Sequence, residues 1–203
     1  MDRSGSRPHT AAAAATLANS RPSRKTMTAP KLLPVTLVLG GARSGKSRYA
    51  ERLAEAEPGP YVYLATGQAG DAEMAERIAH HRARRGARWR TEEEPLELPA
   101  RLQAVAQPGS VVVVDCLTLW LSNVLLNELD VENHCERLVA VLPRLAGPVI
   151  LVSNEVGLGI VPDNALARRF RDAAGRLNQA VAAVAQSVVF VAAGLPLVLK
   201  RQD

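Results

Sequence analysis

Residues 40 to 47 read Gly40-Gly41-Ala42-Arg43-Ser44-Gly45-Lys46-Ser47, a complete G-x-x-x-x-G-K-[ST] spacing. Such a run can wrap phosphate: Gly40 and Gly45 permit the tight turn that aims successive amides inward, and Lys46 reaches the terminal phosphates. The Ser47 hydroxyl can ligate Mg²⁺. A second candidate is Asp115, which ends the apolar run Val111-Val112-Val113-Val114. An acid at the carboxyl end of a strand beside a phosphate loop suits the same metal. The third is the segment Asp71 to Arg85, DAEMAERIAHHRARR, where His80 and His81 precede Arg82, Arg84, Arg85, Arg88 and Arg90. Neighbouring cations favour neutral imidazole, so a histidine here could attack phosphorus. The arginines could equally clamp phosphates, and a solvated basic helix end has the same composition. A metal site is disfavoured, because adjacent histidines on a helix diverge by about 100° and no ligand pair four residues on completes a set.

These residues need elements to place them. The strand-forming run Val35 to Leu39 precedes the loop and a helix-compatible stretch, Ser47 to Glu55, follows, which is the context the motif requires. Further strands are expected at Tyr61 to Ala65, Val111 to Val114, Val149 to Ser153, Val188 to Ala192 and Leu195 to Leu199. The unbroken valines at 111 to 114 indicate a strand covered on both faces. Helices are expected at Ala72 to Arg85, at Leu96 to Ala106, and twice within Leu117 to Leu145 with a break near Asp130. The longest should run to about Ala185 from an N-cap at Asp163, with Leu166, Phe170, Ala173, Leu177, Val181 and Val184 on one face. The alternation predicts an α/β fold, a P-loop NTPase-like three-layer sandwich with a mostly parallel sheet and a closing antiparallel hairpin at Gly194-Leu195-Pro196.

The chain of 203 residues suits one domain, assigned to residues 32 to 203, and shows no internal repeat. Residues 1 to 31 mix Ala11 to Ala15 with Ser, Pro and Arg and show no periodic apolar face; they read as a disordered extension, and Met27 is an alternative start. Their Arg-rich, acid-poor composition also resembles a transit peptide. The net charge of +5 resides there: six cations stand against Asp2, which leaves the remainder near zero. A nucleic-acid partner is therefore not expected. Cys116 and Cys135 lack metal or redox spacing and suit a reduced, cytoplasmic protein. No apolar run reaches the roughly 18 residues of a membrane span.

Several segments together resemble one family, the bifunctional adenosylcobinamide kinase/adenosylcobinamide-phosphate guanylyltransferases of cobalamin biosynthesis. They are GGARSGKSRYAE at 40 to 51, YLATGQ at 63 to 68, DAEMAERIAHHRARR at 71 to 85, WRTEEEP at 89 to 95, DCLTLWLSN at 115 to 123 and SNEVGLGIVPDNALARRFRDAAGRLNQ at 153 to 179. The resemblance spans residues 35 to 200. It implies that ATP or GTP phosphorylates adenosylcobinamide, and that GTP then gives GMP to an enzyme histidine, which passes it to adenosylcobinamide phosphate. The guanylylated histidine would be His80. Gly40 to Ser47, Thr66, Gly67, Gln68, His81, Arg82, Ala83, Arg84, Glu93 and Asp115 would line the nucleotide site, with Mg²⁺ on Ser47 and Asp115. It also implies a homo-oligomer.

Three alternatives have distinct marks. A nucleotide switch would carry N-K-x-D or a D-x-x-G directly after a strand; Asp172-Ala173-Ala174-Gly175 falls instead within the long helical pattern. A plain small-molecule kinase would leave no GMP on the protein. A nucleic-acid-binding ATPase would place its basic excess on the domain. The loop Asn154 to Pro162, punctuated by Gly157 and Gly159, follows an expected strand and so belongs to the ligand-bearing edge of the sheet or is a simple connector.

Overall fold

A computed structural model describes residues 32–67 and 85–202. Its strands are β1 (Val35–Gly40), β2 (Tyr61–Ala65), β3 (Trp89–Glu93), β4 (Val111–Asp115), β5 (Val149–Asn154), β6 (Ser187–Ala192) and β7 (Leu195–Arg201). The helices are α1 (Lys46–Glu55), α2 (Leu98–Val105), α3 (Leu117–Leu126), α4 (Val131–Val141) and α5 (Ala165–Val184), with a 3₁₀ turn at Leu142–Arg144. The seven strands form one sheet in the order β3-β2-β4-β5-β1-β6-β7. All pairings are parallel except β6 with β7, which closes the sheet as the expected hairpin.

The continuous apolar runs are explained by burial on both sides. Val112, Val114, Leu37 and Leu151 pack on one face with Leu102, Trp120, Leu121, Leu138, Leu177 and Val181 from α2 to α5. Val111, Val113, Val38, Ile150 and Val152 pack on the other with Ala50, Leu53 and Ala54 of α1. Trp120 is fully buried and donates its indole N–H to the Leu96 carbonyl at 2.8 Å, so it belongs to the core.

Two expectations need revision. The cap of α5 is Asn164, not Asp163: the Asn164 side chain accepts from the Leu166 and Ala167 amides at 2.7 and 3.2 Å. Both residues are good caps by type, and the register of the first turn decides between them. Strand β3, WRTEE, was not anticipated because it lacks apolar alternation. It forms because β2 supplies a parallel partner along its whole length, from Tyr61↔Trp89 to Ala65↔Glu93. Trp89 packs its ring 4.9 Å from that of Tyr61. The break near Asp130 is a cap: its carboxylate accepts from the Asn133 amide at 3.0 Å and starts α4. Gly175 lies inside α5, as the helical pattern requires. The expected helix at Ala72 to Arg85, apart from Arg85 itself, and the N-terminal extension lie outside the described residues.

Among the described residues no helix is long and apolar enough to cross a membrane. Strand β7 is an exposed edge carrying Leu195, Leu197, Val198 and Leu199 at the surface.

Candidate nucleotide site at the carboxyl edge of the sheet

The loop after β1 adopts the cradle its glycines allow. Gly40 has φ of 152° and Gly45 98°, a region side chains resist. A Cβ at Gly40 would lie 2.3 Å from the Val191 carbonyl oxygen and 2.7 Å from Ser44 Oγ. Gly45 serves as the N-cap of α1, without a side-chain cap, and no acid occupies the first helical turn. The free amides and partial positive charge of this helix end are therefore left for an external anion. The loop is braced from outside by the Gly194 amide, which donates to the Ser44 carbonyl at 2.8 Å. Ala42 and Arg43 are exposed at its tip.

Lys46 is buried, and its ammonium donates to the Gly41 carbonyl at 2.7 Å. Burial lowers its pKa, an effect opposed by the negative charge of Asp115. Asp115 ends β4 and belongs to the same electrostatic neighbourhood, although β5 separates β4 from β1 in the sheet. Its Oδ2 accepts the Tyr63 hydroxyl at 2.7 Å. Burial, then the charge of Asp115 and this hydrogen bond, raise the Tyr63 phenol far above its ordinary range, so it remains a donor. Beside it, burial and Asp115 push the Cys116 thiol up to about 11.

Thr66 follows β2 and is fully buried. Its hydroxyl donates to the Cys116 carbonyl at 2.7 Å and accepts from the Cys116 amide at 2.9 Å. Its amide reaches the Asp115 carbonyl at 3.3 Å, and Asn123 Nδ2 donates to its carbonyl at 2.8 Å. Thr66 thus ties the ends of β2 and β4 together. Glu93 ends β3 level with Asp115, both being register partners of Ala65 on opposite sides. Gly67 follows Thr66, half-exposed. Gln68, His80, His81, Arg82, Ala83 and Arg84 lie outside the described residues.

Some contributors were invisible to motif reasoning. Thr118, Ser153 and Asn178 form a buried network: Thr118 Oγ1 accepts from the Asn154 amide at 2.7 Å, and Ser153 Oγ donates to Asn178 Oδ1 at 2.7 Å. This network fixes the end of β5, next to β1. The loop beyond it starts with the Glu155 amide donating to the Gly40 carbonyl at 3.1 Å, so it hangs from the phosphate loop itself. Leu158 and Ile160 on that loop are 83% and 96% exposed. Tyr63, within YLATGQ, was also missed, and Arg85, expected as a phosphate clamp or a solvated cation, is instead seated on the Tyr63 ring.

The hydroxyl in the first turn of α1 and the carboxylate at the end of β4 are hard oxygen donors, the type that suits Mg²⁺. No group of three His, Cys, Asp or Glu side chains among the described residues forms a metal site alone. One or two protein oxygens completed by phosphates and water is the usual arrangement for Mg²⁺ on a nucleotide.

A mostly parallel sheet, a glycine-shaped anion cradle at its carboxyl edge and an acid on a nearby strand define a P-loop nucleotide-binding enzyme of the α/β class. The model of the cobinamide kinase / cobinamide phosphate guanyltransferase family matches residues 36–199, and the chain belongs to that family. It is 58% identical over 171 residues to the bifunctional adenosylcobalamin biosynthesis protein CobP of Pseudomonas aeruginosa, covering 82% of this chain and 97% of that protein. It is 41% identical over 179 residues to the CobU protein of the same description from Escherichia coli, covering 81% and 98%. A solved Pyrococcus horikoshii protein, project PH0250, shares the fold with a TM-score of 0.53 at 10% identity, over 87% of this chain and 90% of that one. The protein is accordingly a bifunctional transferase of adenosylcobalamin biosynthesis acting on small molecules.

Proposed function

We propose that one nucleotide site serves two reactions: phosphorylation of adenosylcobinamide by ATP or GTP, then transfer of GMP from GTP to adenosylcobinamide phosphate through a guanylylated His80. The observation that carries this reading is the uncapped, acid-free N-terminus of α1 with Lys46 buried beside Asp115, a cationic pocket built for a polyphosphate. Gly40 to Ser47 hold the triphosphate. Lys46 turns from the Gly41 carbonyl to a phosphate oxygen. Thr66, Gly67, Gln68, His81, Arg82, Ala83, Arg84 and Glu93 complete the nucleotide-binding surface. Ser47 and Asp115 would hold Mg²⁺, whose charge offsets that accumulating on the phosphates.

In the transferase step the His80 imidazole attacks the α-phosphorus of GTP and the bond to the β-phosphate oxygen breaks, releasing pyrophosphate. The phosphate of adenosylcobinamide phosphate then attacks the same phosphorus and the P–N bond breaks. Two displacements replace one that would have to align two bulky anions, and the imidazole leaves readily once protonated. The resident compartment in this reading is the cytoplasm and the working form a homo-oligomer.

Brief incubation with α-labelled GTP and Mg²⁺ should leave an acid-labile, GMP-sized adduct on the protein, seen by mass spectrometry. His80→Ala should lose the adduct and guanylyl transfer while retaining kinase turnover. Undiminished label on His80→Ala would reject the assignment of the histidine. No adduct on the parent protein would favour a plain kinase.

A further inference from the structure

On the reading that Asp115 serves the nucleotide's metal, we propose that Tyr63 and Arg85 are positioning residues that hold the Asp115 carboxylate in its metal-binding orientation. Tyr63 pairs with Val113 in the β2–β4 register, and Asp115 lies two residues further along β4. Residues two apart share a face of the sheet, so the phenol and the carboxylate project to the same side and meet diagonally. The 2.7 Å bond to Oδ2 ties down one carboxylate oxygen and leaves Oδ1 to the metal. An aspartate at a strand end has few packing contacts to choose its rotamer, and a fixed donor makes that choice.

The Tyr63 ring is itself held. The Arg85 guanidinium lies 3.5 Å from its centroid, and Trp89 meets it edge-on at 6.3 Å. The Arg85 side chain is only 5% exposed, with Nη1 3.8 Å from Glu51 Oε1 on α1 and Nη2 donating to Thr91 Oγ1 at 3.3 Å. Among the described residues its Nε and Nη1 are buried without a hydrogen-bond partner. A buried guanidinium is costly for folding unless it is paired, and Arg85 offsets that cost with Glu51, Thr91 and the face of the Tyr63 ring. Arg85 also stands five residues after His80 in the chain. Its seat on Tyr63 therefore connects the end of the histidine-bearing segment to the metal-binding acid.

The test is Mn²⁺ binding, read by electron paramagnetic resonance of the full-length protein with a non-hydrolysable GTP analogue. Tyr63→Phe keeps the ring and removes the O–H. It should weaken Mn²⁺ binding about tenfold, the low end for loss of a group that orients a metal ligand. Metal-free nucleotide affinity should be unchanged by calorimetry, and kcat should fall with KM for GTP steady. Arg85→Lys keeps the charge but not the planar stack; it should weaken Mn²⁺ about threefold, and combined with Tyr63→Phe it should add nothing further. Parent-like Mn²⁺ affinity in Tyr63→Phe, with Asp115→Asn clearly weakened, overturns the positioning role alone. Parent-like affinity in Asp115→Asn overturns the metal role of Asp115 beneath it. If circular dichroism shows that Tyr63→Phe does not fold, Arg85→Lys decides, and unchanged Mn²⁺ binding there overturns the proposal.

Discussion

Eight consecutive residues, Gly40 to Ser47, make the phosphate loop, whereas Glu51, Tyr63, Arg85 and Asp115 reach one another from four separate parts of the chain. The loop's shape comes from φ angles that glycine tolerates at 40 and 45, and even its lysine bonds to its own backbone, at Gly41. The acidic cluster has no such local source. It exists because β2 and β4 pair in one register, from Tyr61↔Val111 to Ala65↔Asp115, and because Thr66 locks their ends. The loop is therefore sensitive to single backbone positions, and the cluster to anything that shifts strands against each other.

The largest effect is expected at Lys46. Lys46→Ala should lower both kinase and guanylyl-transfer rates at least about a hundredfold, as loss of a charge-stabilising donor does; retained transferase activity would show that the two reactions use separate sites. Next is Gly40→Ala, where a methyl would meet the Val191 carbonyl at 2.3 Å. Strain and overpacking together should cost about 3 kcal/mol in urea unfolding. Gly41→Ala, with nothing within 4 Å of the added atom, should stay within about 0.5 kcal/mol and so isolate the steric cause.

Thr66→Val acts on the strand-built cluster. It leaves the Cys116 amide and carbonyl without their buried partner, which should cost about 2 kcal/mol. Metal affinity should fall by a larger factor than metal-free nucleotide affinity, most of which the loop supplies. The smallest effect is one of pH. Burial pushes the Cys116 and Cys135 thiols from 9.0 to about 11, so an unfolded chain loses those protons first. Their contribution is fully present below pH 9 and is lost as pH rises towards about 11. Lys46, with its lowered pKa, works in the opposite direction. Urea midpoints should therefore decline from pH 9 to 11, and Cys135→Ser should flatten part of that slope.

The strands most legible in advance were those buried on both faces, since a run such as Val111 to Val114 has no other stable use. Strand β3 was illegible because Arg90, Thr91, Glu92 and Glu93 carry no apolar signal and become a strand only through the backbone of β2. The cap of α5 was misjudged by one residue because Asp163 and Asn164 are chemically equivalent caps, and packing sets the register. Tyr63 passed as a strand residue and Arg85 as a phosphate clamp or solvated cation, since nothing along the chain shows what a phenol will touch 52 residues away.

The sequence by itself determined the anion cradle, the alternation that builds a parallel sheet, and the family, because each depends on residues close together in the chain. Only the tertiary structure decided which side chains meet Asp115, what holds Thr66, and that the apolar loop beyond Asn154 hangs from Gly40. Those contacts depend on strand order and register, which arise when distant segments bury their apolar faces on a common sheet.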